Sequence, residues 1–189
     1  MENTPPPPCP PAPLPPFVLW LTGLPASGKT TLAYALRQKL VADGLTAVVL
    51  DSDELRHILT PQASYSSDER DWFYGVLGQL AGLLAKNGVT VLIAATANRR
   101  HYRDQARQQI ARFAEIYVRC DLATCQQRDP KGIYGQAQEG TAVSVPGVGS
   151  PYEPPLQPEV VVDTTVLTVA EAATAVYQQL ASFFQPVKV

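Results

Sequence analysis

The chain has 189 residues, 46% of them hydrophobic and 17% charged, which suits one α/β core with a tail and leaves too little length for two full domains. Fifteen basic against seventeen acidic residues give a formal charge of −2, so no whole-molecule field exists to hold nucleic acid or an anionic membrane; any anion must be gripped locally. The longest apolar runs, 17–21 and 89–95, fall short of the roughly 20 residues of a membrane helix, and the start MENTPPPPCP has neither a basic nor an apolar leader region, so a soluble, cytoplasmic protein is expected.

Nine of the eighteen prolines fall between Pro5 and Pro16 and five between Pro146 and Pro158. The first cluster fixes φ residue after residue and offers few donors, so residues 1–16 read as an extended, disordered tail, or as a ligand for a proline-binding partner. From Pro16 the sequence changes character. FVLWLT reads as a strand, GLPASGKT as a loop, and TLAYALRQKLVADG as a helix stopping at Gly44. TAVVL is a second strand. SSDERDWFYGVLGQLAGLLAKNG is a long helix in which Ser66 and Glu69 suit a capping box and Leu77, Leu80, Ala81 and Leu84 share one face.

VTVLIAAT makes a third strand, HYRDQARQQIARF a helix, EIYVRC a fourth strand, LATCQQRD a short helix and VVVDT a fifth strand, and Val169 to Phe184 closes the chain as a helix. Short apolar strands alternating with helices imply a parallel sheet covered on both faces, a single three-layer α/β/α unit over residues 17–189. Between Asp129 and Pro158 apolar periodicity gives way to Gly, Pro and Ser. Such a long irregular stretch reads as a mobile lid over a site.

Gly23-Leu24-Pro25-Ala26-Ser27-Gly28-Lys29-Thr30 fits G-x-x-x-x-G-K-[ST], after a strand and opening a helix. Glycines let backbone N–H groups curl round phosphates, and the helix N-terminus adds partial positive charge. This places the chain among P-loop NTPase folds with a sheet of about five parallel strands. Lys29 is expected to bridge the β- and γ-phosphates of ATP, and Thr30 to present its hydroxyl to Mg²⁺.

The second strand ends in Leu50-Asp51-Ser52-Asp53-Glu54-Leu55-Arg56, at the sheet edge where open α/β sheets bind ligands. The third strand lacks a terminal aspartate, so Asp51 is the metal-side candidate, acting through water. Asp53 is the candidate for orienting or deprotonating an acceptor hydroxyl, and Arg56 for holding an acceptor anion. An acidic helix start with an exposed arginine is the plainer alternative. His57 and His101 are the only imidazoles and get no role. Cys9, Cys120 and Cys125 lack metal-finger spacing and read as reduced, structural thiols. Trp20 belongs to a buried strand, whereas Trp72 is placed to line a pocket.

Beyond the phosphate loop, LDSDELRH, YSSDER, CQQRDPKGIY and PYEPPLQPEVVVDT resemble the adenylylsulfate kinases, which phosphorylate the 3′-hydroxyl of adenosine 5′-phosphosulfate in sulfate assimilation. The resemblance runs from Phe17 to the C-terminus. It implies ATP and Mg²⁺ at Gly23, Ser27, Gly28, Lys29, Thr30 and Thr31, with Arg128 on the ATP side of the lid. It also implies acceptor contacts from Asp53, Arg56, Arg70, Arg100 and Lys131, with Tyr65 packing on the acceptor adenine where the family has Phe, and a homodimer.

The departures lie on the acceptor side. Phe73-Tyr74-Gly75-Val76 stands where the family reads Asn-Ile-Arg-Arg, Ala97-Asn98-Arg99-Arg100 where it reads Ser-Pro-Tyr-Arg, and Ser144-Val145-Pro146-Gly147 where it reads Gly-Phe-Thr-Gly. An amide, two guanidiniums and one stacking aromatic are gone, so weaker anion binding is expected there. Arg99 or Arg100 could restore the charge from the opposite wall, or the pocket could serve another small anionic metabolite or modified nucleotide. A nucleotide-binding switch or scaffold without efficient transfer is the remaining alternative. No basic patch with interleaved aromatics points to nucleic acid.

Overall fold

The computed structural model describes residues 15–139, 145–181 and 183. Most of the predicted tail (1–14) and part of the predicted lid (140–144) lie outside the described residues. In chain order the elements are β1 (Val18–Thr22), α1 (Lys29–Ala42), β2 (Ala47–Asp51), α2 (Ser52–Leu59), α3 (Ser67–Lys86), β3 (Thr90–Ala94) and α4 (Arg100–Gln109). There follow β4 (Phe113–Arg119), α5 (Leu122–Arg128), α6 (Ile133–Gln138), β5 (Val160–Asp163) and α7 (Val169–Gln179).

All five strands are parallel, in the order β2-β3-β1-β4-β5. The alternation of side chains along β1 assigns the two faces of the sheet. Phe17, Leu19 and Leu21 pack with Leu32, Leu36, Ala172 and Val176 from α1 and α7, and Val18 and Trp20 pack with Phe73, Leu77, Tyr102 and Ala106 from α3 and α4. Each fully buried Leu, Val or Phe contributes about 1.5–3 kcal/mol against exposure. Both faces are therefore covered, as the continuous apolar strands require.

The crossover pattern decides where a site can form. The loop after β1 leads to α1 on one face, and the loop after the adjacent β3 leads to α4 on the other. The two loops diverge and leave a crevice at the carboxyl edge of the sheet, the topological switch point.

Four details differ from the sequence reading. The stretch 129–158 is not without regular structure: it holds α6 and a bridge between Pro146 and Ser150. Asp129 seeds that helix by accepting from the N–H groups of Tyr134 (3.0 Å) and Gly135 (3.1 Å), and Tyr134 is buried beneath. The helix read as HYRDQARQQIARF ends at Gln109, because Ile110 turns extended (φ −114°, ψ 113°) and Phe113 already opens β4 in the core. The last helix ends at Gln179 with Leu180 as its cap, not at Phe184, which lies outside the described residues.

The fourth difference shapes the site. Ser66 Oγ accepts from Glu69 N at 3.2 Å, but Glu69 does not return the bond to Ser66. Its carboxylate reaches further back, to Ser64 N (2.5 Å), Ser64 Oγ (2.7 Å) and Tyr65 N (3.2 Å). This gathers the chain before α3 into a tight bend with Tyr65 at φ +54°, a left-handed conformation uncommon outside glycine.

Candidate active site

The phosphate loop is shaped by what its glycines avoid. A Cβ on Gly23 would sit 2.3 Å from the carbonyl oxygen of Val118 on β4 and 2.8 Å from Ser27 Oγ, so no side chain fits there. Gly28, the residue before α1, holds φ +92°. Ser27 is wholly buried, and its carbonyl accepts from Thr164 Oγ1 at 2.8 Å, which ties the loop to the end of β5. α1 carries no side-chain cap and no acidic residue in its first turn, whereas α2, α3 and α7 have both. Its leading N–H groups are therefore left to an anionic ligand.

Lys29 folds back over this loop. Its Nζ donates to the carbonyls of Leu24 (2.8 Å) and Gly23 (3.2 Å). Burial pushes its pKa down to about 8, against the opposing pull of Asp53, Cys125 and Asp51. Thr30 and Thr31 stand exposed at the start of α1. Thr30 Oγ1 donates to Asp51 Oδ2 at 2.5 Å, while Asp51 Oδ1 caps α2 through the N–H groups of Asp53 (2.8 Å) and Glu54 (3.4 Å). A hydroxyl and a carboxylate side by side, with few other protein donors, fit a cation that keeps most of its waters and shares phosphate oxygens.

Facing this corner, α2 and α3 present the acceptor candidates. Asp53 is ion-paired with Lys131, both half-exposed, so two residues 78 apart in sequence meet at the mouth of the site. Arg56 and Arg70 are both buried. Arg56 pairs with Glu69 at 2.7 Å, and its guanidinium lies 4.0 Å from the Phe73 ring centroid, 4.8 Å from that of Tyr65 and 5.8 Å from that of Tyr74. Burial would raise the Glu69 carboxyl, but hydrogen bonds from Ser64 and Arg56 outweigh it and hold it below its ordinary value. Arg70 donates to the Tyr65 carbonyl and to Asn98 Oδ1, each at 3.0 Å. Tyr65 remains 47% exposed, an aromatic face open at the rim.

The other candidates are placed less simply. Arg100 turns to Glu153: its N–H donates to Glu153 Oε2 at 2.9 Å and its Nε lies 3.5 Å from the same oxygen. Arg99 donates to Ser67 Oγ at 3.2 Å. Arg128 donates to the carbonyl of Thr164 at 2.6 Å, the same residue whose hydroxyl holds the phosphate loop at Ser27. Trp72 is half-exposed, while its neighbour Phe73 is wholly buried under Arg56. The altered segment thus contributes its phenylalanine, not its tryptophan. Cys120 and Cys125 are buried; desolvation, then the adjacent Cys120 thiol, pushes Cys125 up to about 12, so it stays protonated and unreactive.

The sequence reading missed Asn98 and Glu69 as organisers of the two arginines, and Tyr134 as a strap on the phosphate loop, where its hydroxyl donates to the Pro25 carbonyl at 3.1 Å. An amide four residues past the end of β3, in the loop at the carboxyl edge of the sheet, was the available signal for Asn98. The other two depend on contacts far apart in sequence. Among the described residues no helix is long and apolar enough to cross a membrane, and no cluster of three or more His, Cys, Asp or Glu side chains is placed to hold a metal by itself.

Comparison with known proteins identifies the family. The family model described as adenylylsulphate kinase matches residues 15–163. An adenylyl-sulfate kinase of Rippkaea orientalis is 42% identical over 162 residues, covering 86% of this chain and 90% of the relative. A probable adenylyl-sulfate kinase of Halalkalibacterium halodurans is 41% identical over 165 residues, covering 86% and 82%. The solved structure of the Mycobacterium tuberculosis APS kinase in complex with AMPPNP and APS superposes with a TM-score of 0.84 at 34% identity, covering 89% of this chain and 99% of that one. With the family model matched over residues 15–163 and relatives above 40% identical over most of their length, the chain belongs to the adenylylsulphate kinase family.

Proposed function

We propose that the protein transfers the γ-phosphoryl group of ATP to the 3′-hydroxyl of adenosine 5′-phosphosulfate. The observation that carries this reading is the meeting, at one sheet edge, of an uncapped phosphate loop and two buried arginines held by aromatic rings and a carboxylate. The loop amides and Lys29 hold the ATP phosphates, and Lys29 exchanges its two carbonyl partners for phosphate oxygens. Thr30, with Asp51 behind it, would hold Mg²⁺, which when bound neutralises charge on the β- and γ-phosphates.

Arg56 and Arg70 take the anionic end of the acceptor, and Tyr65 packs on its base. Asp53 leaves Lys131 to accept a hydrogen bond from the 3′-hydroxyl; Lys131 is then available to the acceptor anion. The hydroxyl oxygen attacks the γ-phosphorus as the bond to the β,γ-bridging oxygen breaks. ADP departs, and the hydroxyl proton passes to Asp53 or to water. Residues 129–158 serve as the lid: Tyr134 touches Pro25, and a Cβ on Gly147 would lie 2.8 Å from Leu24, so the described parts on either side of residues 140–144 already rest on the phosphate loop. Closing it would exclude water from the transfer.

The test is ADP release by the purified protein with ATP and Mg²⁺, with and without adenosine 5′-phosphosulfate. Acceptor-dependent turnover that Asp53→Asn reduces by at least a hundredfold supports the reading. ATP binding without turnover on this acceptor would overturn it, in favour of an acceptor suited to the aromatic-backed arginines.

A further inference from the structure

At the end of β3 the chain makes an abrupt turn. Ala97 sits at φ +40°, a backbone conformation that residues with a Cβ rarely adopt, and the next residue, Asn98, is driven inward until only 2% of it is exposed. Two segments, α3 and residues 150–153, then meet on this one residue. Its Oδ1 accepts from Arg70 Nη1 at 3.0 Å; its Nδ2 donates to the Pro151 carbonyl at 3.0 Å and to Ser150 Oγ at 3.3 Å; its backbone carbonyl accepts from Glu153 N at 2.8 Å. Arg103 braces the turn from behind, donating to the carbonyls of Ala97 and, at 2.8 Å, Glu153, and to Glu115 at 2.5 Å.

A stitch between β3 and the Ser150–Glu153 segment could end on any backbone group. This one ends on a buried guanidinium at the acceptor wall. The amide presents an acceptor to Arg70 and a donor to Pro151 on separate atoms, and leaves the positive charge of the arginine intact. A carboxylate would grip Arg70 more strongly, but would neutralise it and set an oxygen against the Pro151 carbonyl.

We propose that Asn98 is a positioning residue for acceptor recognition: it aims Arg70 at the acceptor anion and makes that aim depend on the Ser150–Glu153 segment being seated. The inference rests on Arg70 being an acceptor contact, as under the proposed function. It deepens that reading by naming a residue, outside the set expected from the sequence, that links acceptor affinity to the strap across the sheet edge.

The experiment compares the full-length protein with its Asn98→Ala and Asn98→Asp variants. Steady-state kinetics with adenosine 5′-phosphosulfate and ATP are combined with thermal melting and hydrogen exchange at the amides of Ser150, Tyr152 and Glu153. Loss of a hydrogen bond that orients a charged group predicts an acceptor KM raised about tenfold in Asn98→Ala, with the ATP KM within about twofold and faster exchange at the three amides. Asn98→Asp keeps the Arg70 contact and should melt closer to the parent than Asn98→Ala, yet its acceptor KM should stay raised because the arginine is neutralised. A merely structural role predicts the opposite, with both KM values following the melting temperature. An unchanged acceptor KM in Asn98→Ala, or unchanged exchange in the strap, would overturn the proposal. If the parent protein shows no turnover on this acceptor, the functional reading fails, and the exchange measurement, which needs no acceptor, still decides whether position 98 links α3 to the strap.

Discussion

The donor loop and the acceptor wall share one edge of the sheet but are built by different means. Residues 23–30 form their site from backbone: Gly23 is pressed against Val118, Gly28 holds a left-handed φ, and the helix that follows offers uncapped N–H groups. The acceptor wall is built from side chains that hold other side chains. Arg56 is clamped by Glu69, Phe73 and Tyr65, and Arg70 by Asn98 and the Tyr65 carbonyl. A site made of backbone tolerates almost no substitution at its glycines but does not depend on which distant residues surround it. A site made of braced side chains can exchange one brace for another. That explains how a phenylalanine and an asparagine at unexpected positions can leave two arginines well held.

Removing Lys29 breaks the donor half most severely. Lys29→Ala should lower ADP release by about 10³-fold, the scale of losing a donor aimed at developing charge. The protein should melt no earlier, because burial of this amine costs stability in the unliganded state, as its depressed pKa of about 8 records. Retained turnover would break the phosphate-loop assignment. Gly23→Ala should act through structure instead: with Val118 O at 2.3 Å from the added carbon, the loop or β4 must move. A loss of about 1–3 kcal/mol in denaturant unfolding is expected, with weakened binding of an ATP analogue. Unchanged stability would mean that the loop yields freely.

The contrast also explains what could be read from the chain alone. The phosphate loop was legible because its parts are adjacent and their spacing is the mechanism, and the five strands because each is a short run dominated by apolar residues, broken in β4 by Glu115. α6 escaped because its cause is local and polar: Asp129 capping two N–H groups leaves no apolar period to find. Of the acceptor residues, Arg56 and Arg70 stood out by their motifs. Their braces did not, since Asn98 lies 28 residues from Arg70 and reaches a strap 53 residues further on. The expectation that Phe73 leaves the anion site weaker counted the amide lost at that position. It could not see that the new ring would lie 4.0 Å from the Arg56 guanidinium.

That ring supplies the next test. Phe73→Leu keeps apolar volume in the core and removes the π face, so the cation–π contribution of about 1 kcal/mol for a buried arginine should be lost. The acceptor KM should rise about fivefold and the ATP KM should not move. If both rise equally, Phe73 supports the fold in general and not the acceptor arginine, and the two halves of the site share their packing.

The smallest effect is a pH dependence confined to the donor half. In the unliganded protein burial lowers the Lys29 pKa from 10.5 to about 8, so the amine loses its proton as pH rises through 8, and the stability cost of the buried charge, present below that pH, is relieved between 8 and 10.5. Bound phosphates favour the charged amine and restore its pKa. ATP affinity should therefore be greatest below pH 8 and about fourfold weaker at pH 8.5 than at pH 7, with binding at the higher pH taking up roughly three-quarters of a proton. Calorimetry in two buffers of different ionisation enthalpy measures that uptake directly. Lys29→Arg, whose guanidinium stays charged throughout, should bind ATP without the proton uptake. Adenosine 5′-phosphosulfate binding, held by arginines, should show no such decline across the same interval, and a parallel decline in both would mean that the two halves share a titrating group.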